Sequence, residues 1–110
     1  MRRINSRAKG KRGELLARDL LRSFGFKAVR GQQHKGNSDS PDVIHDIEGV
    51  HIEVKWVNKL NIWEAMAQAR RDCGGKTPVV LHKKDGTGWL ATMPADALLR
   101  LLGGEDYSDL

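Results

Sequence analysis

The sequence has few of the features that mark secreted, membrane or metal-cluster proteins. It holds a single cysteine, Cys73, so an internal disulfide and a cysteine-based zinc site are both excluded. No apolar run approaches the roughly 20 residues that cross a bilayer, and the basic N-terminus is not followed by the apolar stretch of a signal peptide. We therefore expect a cytoplasmic protein without membrane contact, with Cys73 partly buried near a helix end.

The chain also has no internal repeat, low-complexity segment or linker. Its 110 residues suffice for one domain with a modest core. A charged fraction of 30% and a hydrophobic fraction of 39% are typical of globular proteins. We expect a basic flexible arm over residues 1–9, a single domain over residues 10–104 and a frayed tail over residues 105–110.

Positive charge is concentrated at one end of the chain. Residues 1–35 hold eleven Lys or Arg against two acids, a balance of +9, whereas the rest of the chain has a balance of −4. The opening stretch MRRINSRAKGKR has almost no apolar residue, which suits an arm that lies along phosphates. The alternative is a solvated tail that only aids solubility. The cations expected to contact nucleic acid are Arg2, Arg3, Arg7, Lys9, Lys11, Arg12, Arg30 and Lys35.

Hydrophobic periodicity and capping signals predict the element order α-β-β-β-α-β-β-α. The stretch GELLARDLLRSFGF is an amphipathic pattern that ends at Gly25. A second helix begins after Asn61, a good N-cap with Glu64 at the third helical position, and ends at Gly74. A third helix begins at Pro94. The predicted strands are KAVR, the two strands of a hairpin, TPVVLHK and GWLATM.

The predicted hairpin lies in SPDVIHDIEGVHIEVKW, residues 40–56. A two-residue connection at Glu48-Gly49 pairs Ile47 with Val50 and sets Asp42 opposite Lys55. Asp42 and Glu53 then become diagonal neighbours, with Cα atoms roughly 7–8 Å apart. The predicted apolar face holds Val43, Ile47, Val50, Ile52, Val54 and Trp56, with His45 as its one exception. The polar face holds Asp42, Ile44, Asp46, His51, Glu53 and Lys55.

Two carboxylates this close repel each other unless a cation lies between them. Oxygen ligands of this kind suit Mg²⁺ or Mn²⁺. With Lys55 alongside, the group can hold a phosphodiester oxygen, lower the pKa of a bound water and offset charge at phosphorus. The pattern indicates a metal-dependent phosphodiester-cleaving site, and its alternative is the ordinary solvent-facing side of a half-exposed hairpin.

Pro41-Asp42, followed eleven residues later by Glu53-Val54-Lys55, resembles the PD-(D/E)XK nuclease motif. The preceding stretch KGKRGELLARDLLRSFGFKAVRG resembles the opening of archaeal-type Holliday junction resolvases: a basic start, a helix with an early glutamate, a glycine stop and a short strand ending in arginine. The likeness covers about residues 8–93. It implies an α/β fold with a restriction-endonuclease-like αβββαβ core, in which helices flank a mixed sheet.

This resemblance also implies roles for the residues of the motif. Asp42 and Glu53 would bind the catalytic Mg²⁺, with Mn²⁺ as the alternative ion. The backbone carbonyl of Val54 would be a further ligand. Lys55 would position or activate the attacking water.

Residues outside the motif receive implied roles in the same way. Glu14 matches the helical glutamate, a second-metal or water-mediated ligand, and otherwise would pair with Arg18 at i+4. Gln68 matches a glutamine that contacts the site, and otherwise is an exposed helix residue. A loop serine assists in the archaeal-type resolvases; Ser38 and Ser40 are both near in sequence, and neither matches clearly in spacing.

The remaining polar and aromatic residues carry weaker signals. The four histidines show no i, i+4 pair, which argues against zinc. His51 shares the polar face with Glu53 and so can reach substrate or water, although its plainer interpretation is a surface residue. Trp56, Trp63 and Trp89 are expected to pack in the core or an interface rather than to stack on bases.

Together these features predict a Mg²⁺-dependent, structure-selective endonuclease that nicks four-way DNA junctions. Because a four-way junction has two-fold symmetry, the expected partner is a second copy of the chain, and the resemblance also implies a homodimer. VVLHKK, GWLATM and ALLRLL are its expected contact surfaces, unless they only complete the monomer core. The alternatives are a nuclease for flaps, nicked duplex or single strands, and a DNA-binding module without catalysis.

Overall fold

The structure is a computed structural model that describes residues 6–31 and 42–107. Within these ranges its helices and strands follow the predicted order α-β-β-β-α-β-β-α, which confirms the α/β class. In chain order the elements are α1 (Ser6–Ser23), β1 (Ala28–Arg30), β2 (Val43–His45), β3 (Val50–Trp56), α2 (Ile62–Asp72), β4 (Thr77–Lys83), β5 (Leu90–Thr92) and α3 (Ala95–Leu101).

Helix α1 begins earlier than the sequence pattern predicts. It starts at Ser6, so residues 6–9, which the sequence pattern assigns to the arm, are helical. The reason is that Arg7, Ala8 and Lys9 are all good helix formers. The helix ends as predicted: Gly25 adopts a φ of +90°, which an L side chain rarely tolerates, and its N–H donates to the carbonyl of Arg22.

The boundaries of α2 confirm the predicted capping signals. The Asn61 side chain accepts a hydrogen bond from the Glu64 N–H at 3.2 Å. At the other end, Cys73 is the half-buried C-cap, and Gly74 follows with positive φ. None of the helices in the described ranges is long and apolar enough to cross a membrane.

The strands form two sheets, and this corrects the predicted hairpin. β1 pairs with β2 antiparallel, while β3 pairs with β4 parallel and β4 with β5 antiparallel. No ladder joins β2 to β3 in the described part of the chain, so the predicted register, with Asp42 opposite Lys55, is wrong. β2 ends at His45, whose Nδ1 accepts from the Ile47 N–H, and the connection to β3 is four residues long, not two.

Strand β3 is buried on both faces, because α1 packs on one face and α2 on the other. Ile52 is 4% exposed, and on the opposite face His51 is 8% and Glu53 4% exposed. The alternative of a half-exposed hairpin with a solvent-facing polar side is therefore wrong for these two residues. Gly13 permits the close approach of α1, since a Cβ there would lie 3.3 Å from the Trp56 Cβ.

The apolar core has two parts, one between α1 and the strands and one between α2 and β4. By contrast, no residue of α3 is buried. The β4 segment thus contributes to the monomer core, whereas the leucines of α3 and of β5 remain on the surface. The buried core residues are Ala17, Ala28, Val43, Ile52, Val54 and Leu81 in the first part, and Ala65, Met66, Ala69 and Val80 in the second.

Candidate catalytic cleft

A cleft of about 540 Å³ opens where α1, β3 and α2 meet the residue before β2. Every side chain or backbone group predicted to bind metal or to act in catalysis lines this cleft. The groups come from distant parts of the chain, and the fold brings them to one place. They are Glu14, Asp42, Glu53, Val54, Lys55 and Gln68, with Lys9 at the edge.

Asp42 is held against the middle of β3 by a backbone hydrogen bond. Its Oδ2 accepts from the Val54 N–H at 2.8 Å. In a strand the N–H and C=O of one residue point to the same edge, so the Val54 carbonyl faces the edge of β3 where Asp42 lies. The predicted carboxylate ligand and the predicted backbone ligand therefore share that edge.

Glu53 has the most perturbed acid group of the cleft. Its carboxyl is buried, lies within hydrogen-bond reach of the Asp42 and Asp72 carboxyls, and is 3.0 Å from the His51 Nε2. Burial, reinforced by the two neighbouring carboxylates, raises the pKa of Glu53 to about 8. Without a bound cation, this side chain keeps its proton at neutral pH.

The interpretation of His51 as a surface residue was wrong, whereas its position beside Glu53 agrees with the prediction; Asp72 was missed. His51 is buried beside Glu53, and burial lowers the pKa of its imidazole. Asp72 ends α2, one turn after Gln68, and so it lies on the helix face that packs against β3. The i, i+4 spacing of Gln68 and Asp72 is the sequence signal that identifies it.

Lys55 and Gln68 contact each other at the wall of the cleft. The Lys55 Nζ donates to the Gln68 Oε1 at 3.0 Å, and both side chains are half-buried. Of the two interpretations of Gln68, the structure therefore supports a residue in the cleft rather than an exposed helix residue. The amide orients the ammonium group without neutralising it.

Glu14 is paired across the fold and not along its own helix. It is 9% exposed and accepts a hydrogen bond from the Arg30 Nε at 2.6 Å. The predicted alternative, a pair with Arg18, is wrong, because Arg18 bonds to Asp19. Burial raises the pKa of Glu14, while the hydrogen bond from Arg30 counteracts part of that effect. Arg30, expected to contact nucleic acid, thus also has a structural role.

The donor set of the cleft fits a hard divalent cation. Within residues 6–31 and 42–107, no three His, Cys, Asp or Glu side chains form a ready-made metal-binding group. Mg²⁺ does not need one, since it usually keeps several waters and takes one or two carboxylates from the protein. Asp42 and Glu53 supply two, and a cation would offset the burial and the neighbouring carboxylates that raise the pKa of Glu53.

Three cations surround the indole of Trp56 at one end of the cleft. The Lys83 Nζ lies 4.9 Å from a ring centroid, the Lys9 Nζ 5.2 Å and the Arg12 guanidinium carbon 5.4 Å. Asp85 accepts a hydrogen bond from the Trp56 Nε1 at 2.8 Å and pairs with Lys9 at 3.1 Å. Because the three cations outnumber this one carboxylate, Lys9, Arg12 and Lys83 form a positively charged rim beside the acidic cleft, which we call the cationic rim.

The other predicted nucleic-acid contacts have different outcomes. Lys11 is exposed on α1. Arg2, Arg3 and Lys35 lie outside the described residues, as do the loop serines Ser38 and Ser40 and the side chain of Arg7.

The tryptophans also differ from one another. Trp89 is half-buried and packs against the first core, as predicted, and Trp56 is half-buried under its cations. Trp63 does not pack in the core: it is 83% exposed on α2.

Comparison of the chain with protein-family models, curated proteins and solved structures gives no match. The function of the cleft must therefore be inferred from its own side chains. The most informative of them are the acidic pair Asp42 and Glu53, the adjacent Lys55 and the cations at the rim.

Proposed function

We propose that this protein is a metal-dependent, structure-selective endodeoxyribonuclease that nicks four-way (Holliday) DNA junctions by hydrolysing phosphodiester bonds. The observation that carries the proposal is the single cleft that joins Asp42, Glu53 and Lys55 beneath a cationic rim. The order of elements from α1 to β4 also agrees with the αβββαβ core that the motif implies. We include that restriction-endonuclease-like core in the proposal.

Each group of the cleft has a chemical task in this proposal. Asp42, Glu53 and the Val54 carbonyl would hold Mg²⁺ or Mn²⁺. When bound, the ion supplies a Lewis acid that lowers the pKa of a water and offsets charge at phosphorus. Lys55, oriented by Gln68, would donate to a phosphate oxygen or to the attacking water.

Glu53 must lose its proton before it can serve as a ligand, because its carboxyl is protonated at neutral pH without a cation. His51 contacts the Glu53 carboxyl through Nε2, and this contact limits the orientations that the carboxyl can take. His51 therefore holds the Glu53 carboxylate in one orientation within the cleft.

The charges around the cleft support a polyanionic substrate. Lys9, Arg12 and Lys83 would contact phosphates, and such contacts fix the position of a DNA strand without reading its sequence. A cleft that reads backbone shape is suited to a branched structure.

The exposed leucines support a homodimer as the active form. One β5 residue, three α3 residues and the C-cap of α3 present apolar side chains to solvent, in contrast to the buried residues of β4. A two-fold dimer through this surface would match the two-fold symmetry of a four-way junction. These residues are Leu90, Leu98, Leu99, Leu101 and Leu102.

The test is a cleavage assay on a labelled four-way junction with Mg²⁺ or EDTA, alongside flap, linear duplex and single-stranded DNA made from the same strands. Asp42→Asn and Glu53→Gln remove one ligand each, and Glu48→Gln in an exposed turn is the matched control. We expect paired symmetric nicks in the junction by wild type and by Glu48→Gln, and junction binding without cutting by the other two variants.

Other outcomes distinguish the alternative functions. Cutting of flap or single-stranded DNA with an intact junction would retain the nuclease and reject the junction as its substrate. Binding without cutting under Mg²⁺ and Mn²⁺ would indicate a DNA-binding module. Full activity of Asp42→Asn or Glu53→Gln would refute the proposed site.

A further inference from the structure

A second cleft, of about 480 Å³, runs along α2 beside the catalytic cleft. The two clefts share Lys55, Val57, Lys59 and Gln68 among their lining residues. The hydrogen bond between Lys55 and Gln68 thus lies at their common wall. A DNA strand bound in the catalytic cleft would continue into this second cleft, which we call the α2 groove.

The α2 groove differs from the catalytic cleft in charge. Lys55, Lys59 and Arg71 line it, against the single carboxylate of Glu64. In the described part of the chain, neither Lys59 nor Arg71 lies within ion-pair distance of a carboxylate. The groove is therefore suited to the phosphates that flank a scissile phosphodiester, whose charge it would neutralise.

Trp63 does not line this groove, but it lies on the same helix, next to the edge of the groove that Ala67 forms. It precedes the groove residue Ala67 by one helical turn, so the two share a face of α2, and Arg70 lies on nearly the same face one turn further on. With 83% of its surface exposed, the indole is the largest apolar side chain that the described residues present almost entirely to solvent. An exposed aromatic ring near a groove that is lined with lysine and arginine side chains is the combination found in single-strand binding surfaces.

We propose that Trp63 is a stacking platform for an unpaired base and that the α2 groove holds the strand that carries this base. This inference rests on the proposed nuclease function and adds to it that a base unpaired at the branch point of the DNA, close to the cut, stacks on Trp63. The bases of an intact duplex are stacked on each other and cannot reach the ring.

The experiment measures DNA binding without catalysis, in EDTA, by fluorescence anisotropy. The probes are a labelled flap substrate with unpaired nucleotides and a fully paired duplex of the same sequence. Trp63→Ala removes the ring, Trp63→Phe keeps an aromatic surface, and Phe24→Ala removes an exposed aromatic side chain outside both clefts.

Trp63→Ala should weaken flap binding by about 5- to 150-fold, the range that base–aromatic stacking covers. Duplex binding should change less than about twofold, Trp63→Phe should retain most of the flap affinity, and Phe24→Ala should bind both probes like wild type. The fluorescence of Trp63 is obtained as the difference between the emission of wild type and that of Trp63→Phe. This difference should fall when flap DNA binds. This optical readout does not depend on the alanine variant.

Unchanged flap affinity of Trp63→Ala, or an equal loss on flap and duplex, would overturn the inference. Conversion of a dimer into a monomer by Trp63→Ala, measured by sedimentation, would overturn it too and assign Trp63 to contact with a second copy. The nuclease proposal is tested separately with Mg²⁺. If Trp63→Ala loses flap binding but wild type cleaves no DNA, the stacking platform stands and the nuclease proposal is rejected. If wild type cleaves DNA but Trp63→Ala binds the flap normally, only the platform is rejected.

Discussion

Replacement of Glu53 by glutamine should stabilise the metal-free protein even as it removes a proposed metal ligand. The Glu53 carboxyl is 4% exposed and faces the carboxyls of Asp42 and Asp72. Ionisation therefore places an uncompensated negative charge in a buried, acidic environment. Glutamine resembles the protonated acid: its amide can donate to a neighbouring carboxylate, and it has no proton to lose.

The magnitude follows from the two pKa values of Glu53. In the unfolded chain the group titrates near its ordinary value of 4.5, and in the folded protein near 8. Because the folded-state pKa is raised, the stabilising contribution of this group is fully present below pH 4.5 and is lost as the pH rises to 8. Each pKa unit corresponds to about 1.4 kcal/mol, so the loss is near zero at pH 4 and about 3 kcal/mol at pH 7.

The assay is urea unfolding of wild type and Glu53→Gln between pH 4 and pH 9 in EDTA, with Glu48→Gln as the control at an exposed position. The free energy of unfolding of Glu53→Gln should exceed that of wild type by an amount that grows with pH. Saturating Mg²⁺ should raise the stability of wild type alone, by about 2.7 kcal/mol at one hundred times its dissociation constant. A Glu53→Gln protein that is less stable than wild type at pH 8, or a difference independent of pH, would refute the reasoning.

Three further predictions concern the cleft and its support. Mg²⁺ or Mn²⁺ affinity, measured by calorimetry, should rise about tenfold per pH unit below pH 8, because the ion displaces the proton of Glu53; a flat profile between pH 6 and pH 8 would contradict this. Arg30→Met should lower the free energy of unfolding by about 1–3 kcal/mol, since it leaves the Glu14 carboxylate buried without its hydrogen-bond donor. In the same urea titration, the double variant Arg30→Met, Glu14→Gln should regain most of the lost stability. Gly13→Leu should destabilise the protein by about 1–3 kcal/mol because it separates α1 from β3. Gly10→Ala, by contrast, has open space around its Cβ and should stabilise α1 by about 1 kcal/mol. Thermal melts that show equal effects at the two glycines would exclude this explanation.

The sequence pattern predicted local structure well because its signals act over a few residues. Asn61 caps α2, Gly25 ends α1, and Thr77–Lys83 forms β4 with the predicted bounds. Each of these features depends on side chains or backbone dihedral angles within one turn or one strand. The motif from Asp42 to Lys55 likewise named the residues that the cleft brings together.

The errors concern pairings between residues far apart in the chain. The two-residue hairpin at Glu48-Gly49 was predicted from a turn signal, but β2 pairs instead with β1. One of the two interpretations of Glu14 paired it with Arg18 on its own helix, whereas the structure pairs it with Arg30 on β1. Hydrophobic alternation indicates which residues share a face, and it does not indicate what covers that face.

By itself, the sequence determined the order of helices and strands, the C-terminal end of α1, both ends of α2 and the identity of the acidic and basic groups of the cleft. Only the tertiary structure decided how those groups act on one another. It placed α2 over the polar face of β3, and that burial, with Asp42 and Asp72 close by, raises the pKa of Glu53 to about 8. It also left Trp63 exposed beside the α2 groove. Propensity and capping depend on neighbours along the chain, whereas burial and electrostatic coupling depend on neighbours in space.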